Sequence, residues 1–247
     1  MTALKPSGIS FYKSERRKAG RKEATIRNEL ALLSNAYTLA FKEWDLINEN
    51  PFLKVKLPIA DNKRVRWLTD EEKDKLFSVK KFEWMFPIIK TLRETGARLT
   101  NVLELQWSQV DFKRKMIFFP MTKSGKPVGL PMTNELFETL ASLRKNLSQE
   151  KIVPMSGYVF PKKDGFPRKR RTFERSFKLL CRDAGIEDLV PHDLRHDCAS
   201  RLVRAGVHLK TIMDWLGHSS LSMTLRYAHL GRDEVMENAA RMLNREC

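Results

Sequence analysis

Four times after residue 80 the chain runs through an apolar pattern at helical spacing and then meets a single glycine. The runs cover about residues 83 to 95, 171 to 184, 192 to 205 and 208 to 216, and the glycines are Gly96, Gly185, Gly206 and Gly217. Glycine enters the left-handed conformation that closes a helix without steric cost. Each unit therefore reads as a short helix and a reversal, and such helices gain stability by packing on one another. One segment breaks the rhythm. MIFF, residues 116 to 119, has strand character, TKSGK makes a turn, and PVGLPM returns as a second strand. Further helices are expected at about 134 to 147 and 233 to 244, with another carrying Tyr227 that Ser219 or Ser220 can cap. The expected fold is mainly α with a small antiparallel β-sheet.

The front of the chain differs. Ile26, Leu30, Leu33, Tyr37, Phe41 and Trp44 recur at three- and four-residue steps, which predicts one helix over 24 to 48 that Asn50-Pro51 stops. Residues 52 to 66 mix Lys, Arg and Pro without helical period and read as a linker. Thr69 and Glu72 then spell a capping box that opens a new helix. The boundary falls near residue 65, with a helical unit over 1–65 and a larger domain over 66–247.

Charge narrows the partner. Lys and Arg number 46 against 30 Asp and Glu, a formal net charge of +16. That excess fits a polyanion, most often nucleic acid, although a basic solvated surface is the bland alternative. No apolar run approaches the roughly 18 residues of a membrane span, so no membrane partner is expected. The start, MTALKPSGIS, has no apolar signal core. Cys181, Cys198 and Cys247 show no metal-binding spacing. A reducing, cytoplasmic setting fits best.

Four stretches carry residues suited to chemistry. TGARLTNVLELQW sets Arg98 at a helix entrance, and TKSGK puts Lys123 in the hairpin turn. PHDLRHDCASRLVRAG places His192 and Arg195 three apart on one helix face, with Leu194, Cys198 and Leu202 on an inward stripe. LGHSSLSMTLRYAHL holds His218 and Tyr227. Alone, each has a bland reading: a surface arginine, a solvated lysine, an arginine paired with a carboxylate, a hydrogen-bonded loop histidine, a tyrosine at the core edge. Together they suffice for phosphoryl transfer without a metal. Two guanidiniums can grip one phosphate and the charge that grows on it. A phenol of ordinary pKa about 10 needs a base to attack at neutral pH, and a histidine can supply one. No acidic cluster suited to two magnesium ions stands out, and neither cofactor nor metal is expected.

In these four stretches the chain resembles the tyrosine recombinases, the phage-integrase family, over about residues 67 to 232 and more weakly back to about residue 9. The resemblance implies a site-specific DNA recombinase with an integrase-like, mostly helical catalytic domain, acting in integration or excision of a phage or other mobile element. By that implication Tyr227 attacks the scissile phosphate and forms a 3′-phosphotyrosyl link. Arg98 and Arg195 clamp the phosphate, His192 accepts the proton, Lys123 is the general acid, and His218 hydrogen-bonds the phosphate. The implied partners are double-stranded DNA recombination sites, a homotetramer on synapsed DNA, and accessory DNA-bending or excision factors. The protein would be nucleoid-associated when bound.

Two departures stand against the pattern. Asn101 occupies a place three after the first arginine where the family usually has an acidic residue, and Val128 stands where an arginine is common. Only about 65 residues precede the catalytic boundary, so the front is expected to be a partial core-binding domain: one long helix and a basic lead-in, its apolar stripe lacking partner helices. The basic run PKKDGFPRKRR, residues 161 to 171, reads as a solvated loop or as a contact to the phosphate backbone. Two other readings stay open at this point, a type IB topoisomerase-like enzyme and a catalytically impaired DNA-binding remnant.

Overall fold

The computed structural model describes residues 4–59, 66–119, 127–149, 157–231 and 236. The chain divides into two units, Met1–Arg64 and Val65–Cys247.

In the first unit, α1 (Pro6–Lys18) and α2 (Glu23–Lys42) are joined by a short turn. The lead-in is thus helical, contrary to the sequence reading, and Pro6 suits a first turn whose N–H would have no partner anyway. Ile9, the buried residue of α1, packs with Ile26, Leu30 and Phe52. So the start of the stripe, Ile26 and Leu30, does have a partner helix, while Leu33 and Trp44 are exposed. Basic side chains line the outside of α1, where Arg16 pairs with Glu29 and Arg17 with Glu23. The second helix ends at Lys42, before Asn50-Pro51 is reached, and Asp45 turns the chain at φ 47°. Asn50 instead caps a 3-10 turn over Pro51–Lys54, its side chain accepting from the Phe52 N–H at 2.9 Å.

The second unit opens with α3 (Asp70–Ser78), and Thr69 and Glu72 form both bonds of the capping box. The helix expected from residue 83 splits into a 3-10 turn, Lys80–Met85, and α4 (Phe86–Thr95). Pro87 is the cause, since proline belongs in the first turn of a helix and cannot continue one. Ile88, Ile89 and Leu92 of α4 are buried at the centre of the core. A short α5 (Leu99–Leu103) follows.

The sheet has three strands in the order β1-β2-β3, namely β1 (Val110–Asp111), β2 (Met116–Phe119) and β3 (Val128–Pro131). Ile117 pairs with both Val110 and Leu130, which sets an apolar rung facing the core. The helices α6 (Asn134–Gln149) and α7 (Arg170–Asp183) add Leu136, Leu140, Phe173 and Phe177 to the same core. The phenyl rings of Phe173 and Phe177 stack inside it, their centroids 6.0 Å apart. Then come α8 (Asp193–Arg204), α9 (Leu209–Leu216) and α10 (Ser222–Leu225). The segment expected to carry Tyr227 as a helix capped by serine is only one turn long. Leu221 is its N-cap, Ser220 bonds Ser222 instead, and Tyr227 lies beyond its end. The Tyr227 ring is buried with Ala199, Val203, Ile212 and Leu216, so packing rather than helical period sets its place. Apart from Met236, the helix expected at 233 to 244 lies outside the described residues. Among the described residues no helix is long and apolar enough to cross a membrane.

Candidate active site

Arg195 lies on α8, 5% exposed, and its partners are two carbonyls. Nη1 donates to the Gly96 oxygen and Nη2 to the Leu216 oxygen, both at 2.7 Å. Those oxygens stand at the C-terminal ends of α4 and α9, where helices leave carbonyls unpaired and carry partial negative charge. The guanidinium satisfies both ends and is held rigid by them. Among the described residues no carboxylate pairs with it. Burial pushes its pKa down to about 10, and the neighbouring Arg98 adds to the shift. The group stays cationic at neutral pH and has no counter-ion among the described residues.

Gly96 makes this geometry possible. It caps α4 at φ 62°, and its Cα faces Leu216 and Cys198 at close range. One residue of turn later, Arg98 stands as the N-cap of α5, half-buried. Arg98 and Arg195 line one small cleft with Asn101, Trp215, Phe119 and Val128. Phe119 ends β2 and Val128 begins β3, and the two are paired, so the loop end of the hairpin borders the cleft. Lys123, in the connection beyond them, lies outside the described residues.

The turn that closes α9 projects His218. The N–H groups of Gly217 and His218 bond back to Asp214 and Met213 at 3.1 and 2.9 Å. The ring is 8% exposed, and its Nδ1 lies 2.8 Å from the Thr224 hydroxyl. Burial pushes the pKa down to about 3, reinforced by Arg195, Arg98, Arg226 and His192, so the ring is neutral at pH 7. His192 stands at the N-cap position of α8 and is exposed. Desolvation on its packed side and the charges of Arg195, Arg226 and Arg170 hold it below the ordinary histidine range, against the pull of Asp193.

Tyr227 is 2% exposed. Burial raises its phenol to about 12 although Arg195 and Arg226 pull the other way. Its hydroxyl meets His196 Nδ1 at 2.5 Å. The structure therefore brings Arg98, His192, Arg195, His218 and Tyr227 into one field of charge. It adds Arg226 and His196, which the sequence reading did not single out. The signal for both was adjacency: Arg226 precedes Tyr227 and His196 follows Arg195.

Behind the site an ionic cluster locks α8 to α4. Arg93 Nε bonds Asp197 at 2.8 Å, and Arg201 Nη1 bonds Glu94 at 2.9 Å, with Thr133 donating to Glu94 at 2.8 Å. In the basic run of 161 to 171, several charges have protein partners. Lys162 meets Asp164 at 2.7 Å, Arg170 meets Glu174 at 2.7 Å, and Arg168 lies 4.0 Å over the Trp84 ring. Lys163, Lys169 and Arg171 remain exposed.

Comparison with known proteins gives consistent results. The profile described as the phage integrase family matches residues 66–234. An integrase of Salmonella phage P22 is 29% identical over 221 residues, covering 87% of this chain. The chain spans 56% of that relative's length. The Tn1549 transposon integrase, solved in complex with a circular intermediate DNA, superposes with a TM-score of 0.80 at 24% identity, covering 96% of this chain and 86% of that one. A lambda integrase tetramer bound to a Holliday junction gives a TM-score of 0.72 at 20% identity, covering 89% and 66%. At these identities the two structures speak for the fold.

Proposed function

Because this chain belongs to the phage integrase family, we propose that it cuts and rejoins DNA strands at specific sites through a phosphotyrosyl intermediate. What carries the reading is a buried arginine with no carboxylate partner among the described residues, fixed by two helix-end carbonyls beside a second arginine and a buried tyrosine. The counter-ion this arrangement needs is a phosphate. Arg195 has N–H groups beyond the two it spends on Gly96 and Leu216, since a guanidinium carries five. With Arg98 these would hold the non-bridging oxygens and the charge that develops in the transition state. His218, neutral and bonded to Thr224 through Nδ1, donates from Nε2 to the same phosphate. Tyr227 attacks phosphorus, forming the 3′-phosphotyrosyl link and releasing a 5′-hydroxyl, whose oxygen takes a proton from Lys123. A neutral histidine accepts the phenol proton, the part that the family resemblance gives to His192. The free hydroxyl of a partner strand reverses the step, and the ester energy kept in the phosphotyrosine removes any need for ATP.

The partner is double-stranded DNA at a recombination site of a mobile element, with four copies on synapsed DNA and accessory bending factors alongside. The unit 1–64 serves as part of a DNA-clamping domain, and the end of α1 offers the exposed Arg17 and Lys18 to phosphate. The setting is cytoplasmic. The test uses nicked suicide duplexes with a randomised core, on which a covalent adduct accumulates. Wild-type protein should form the adduct, and Tyr227→Phe should bind the same duplexes and form none. Binding without any wild-type adduct would identify a DNA-binding remnant instead. An undiminished adduct in Tyr227→Phe would remove Tyr227 from the chemistry.

A further inference from the structure

We infer that His196 positions the Tyr227 hydroxyl and takes its proton as the phenol attacks. The inference rests on the recombinase reading, but it moves the role of first proton acceptor from His192 to His196, a residue which that reading leaves unassigned.

The contact is direct. Nδ1 of His196 lies 2.5 Å from Tyr227 Oη, and the rings are tilted 50° with centroids 5.6 Å apart. Both residues are buried, at 6% and 2% exposure. Water therefore competes little for either atom, and a hydrogen bond in such surroundings is strengthened. With the imidazole proton on Nε2, Nδ1 has a lone pair aimed at the phenol O–H, and the hydroxyl donates to it.

Among the described residues, neither of the other two histidines of the site, His218 and His192, hydrogen-bonds the phenol. His218 Nδ1 is engaged by Thr224 at 2.8 Å. The His192 ring stands edge-on to His196, with centroids 4.8 Å apart, so it touches His196. His196 is thus in contact with both the phenol and the histidine at the solvent edge, and a proton received from Tyr227 has His192 as its next neighbour.

The helix explains why this residue and no other. Arg195, His196 and Asp197 are consecutive on α8 and point about 100° apart around it. Arg195 reaches the cleft, His196 reaches Tyr227, and Asp197 anchors the helix to Arg93 at 2.8 Å. The phosphate clamp and the nucleophile's partner are therefore set by one rigid backbone. The step balances as follows. The Oη–P bond forms while the P–O5′ bond breaks, the phenol proton passes to His196 Nδ1, and the 5′-oxygen takes a proton from the Lys123 ammonium. On rejoining, His196 returns its proton to the departing phenolate. Burial favours the neutral phenol, so an adjacent acceptor is required.

His196→Asn keeps a hydrogen-bond acceptor but cannot take the proton. Single-turnover adduct formation and duplex affinity are measured on suicide substrates, with Tyr227 as tyrosine or as 3,5-difluorotyrosine, whose phenol ionises more readily. Losing a general base typically costs about a hundredfold or more, so adduct formation in His196→Asn should fall by that order while affinity stays within a few-fold of wild type. Difluorotyrosine should recover much of the loss in His196→Asn. Cleavage by His196→Asn within a few-fold of wild type overturns the inference. So does a loss that fluorination does not recover, because a merely structural role would not respond to phenol acidity. If wild-type protein forms no adduct, the recombinase reading falls and this inference with it; an active wild type beside an equally active variant sinks this inference alone. Should His196→Asn fail to fold, the ¹⁵N resonances of His196 in the wild type decide. An unprotonated Nδ1 that shifts in Tyr227→Phe supports the inference, and a protonated or unresponsive Nδ1 overturns it.

Discussion

Replacing Gly96 with alanine should cost the larger domain well over what the same change costs at Gly185. Both glycines follow a helix at positive φ, 62° and 66°. An L-residue in that conformation loses about 1–2 kcal/mol, and the stiffer unfolded chain of alanine returns about 0.4–1 kcal/mol. At Gly185 an added Cβ meets nothing within 4 Å. Gly185→Ala should therefore destabilise by about 1 kcal/mol, the backbone cost alone. At Gly96 the Cβ would stand 2.5 Å from Leu216 Cδ2, 3.1 Å from Cys198 Sγ and 3.3 Å from Cys198 Cβ. Overpacking of a core adds about 1–3 kcal/mol, so Gly96→Ala should lose about 2–4 kcal/mol in all. Function should suffer too. The carbonyls of Gly96 and Leu216 grip Arg195 from two sides, and forcing their residues apart opens the grip. Urea unfolding followed by tryptophan fluorescence measures the stabilities, and adduct formation at a temperature where every variant is folded measures the site. Leu216→Ala in the Gly96→Ala background should restore part of the stability, a coupling that separates steric from backbone cost. Equal losses at Gly96 and Gly185, or a Gly96→Ala protein that cleaves at the wild-type rate, would refute the reasoning.

Two further changes probe the charged groups. Arg195→Lys keeps the charge but loses the planar fork that joins two carbonyls and a phosphate; adduct formation should drop on the order of a hundredfold, and a rate within a few-fold of wild type would place Arg195 outside the chemistry. His218 makes stability depend on pH. Its folded pKa, pushed down to about 3, lies below the ordinary value near 6.5, so between those values the unfolded chain binds the proton first. The contribution of the neutral ring is complete above about pH 6.5 and is lost at roughly 1.4 kcal/mol per unit below it. Urea midpoints at pH 7 and pH 4.5 should separate further in wild type than in His218→Asn, and parallel losses in the two proteins would count against the buried neutral ring.

Some of this was legible because the cause is local. A glycine past an apolar run stops a helix whatever surrounds it, and Thr69 with Glu72 needs only its own turn to form a capping box. The hairpin of 116 to 131 was readable from strand residues around a turn, whereas β1, two residues long, is too short to carry a period. The split before α4 follows from Pro87, another local cause that the apolar period concealed. In the front unit the basic composition of residues 13 to 22 hid a helix whose burial rests on Ile9.

The chemistry-bearing residue types, their order and the excess of positive charge are properties of the chain itself, and the sequence alone determined them. Which atoms meet is another matter. Arg195 finds Gly96 and Leu216 at separations of 99 and 21 residues, and His196 finds Tyr227 31 residues away. In PHDLRHDCAS three adjacent polar residues, Arg195, His196 and Asp197, look equivalent, and only the packing of α4, α8 and α9 sends them to a cleft, a phenol and an ion pair. The same packing lowers His218 and raises Tyr227, because desolvation depends on what every other element covers. Local propensity acts over a turn of chain, while burial and hydrogen-bond partners are sums over the whole fold, and that is why the tertiary structure alone decided them.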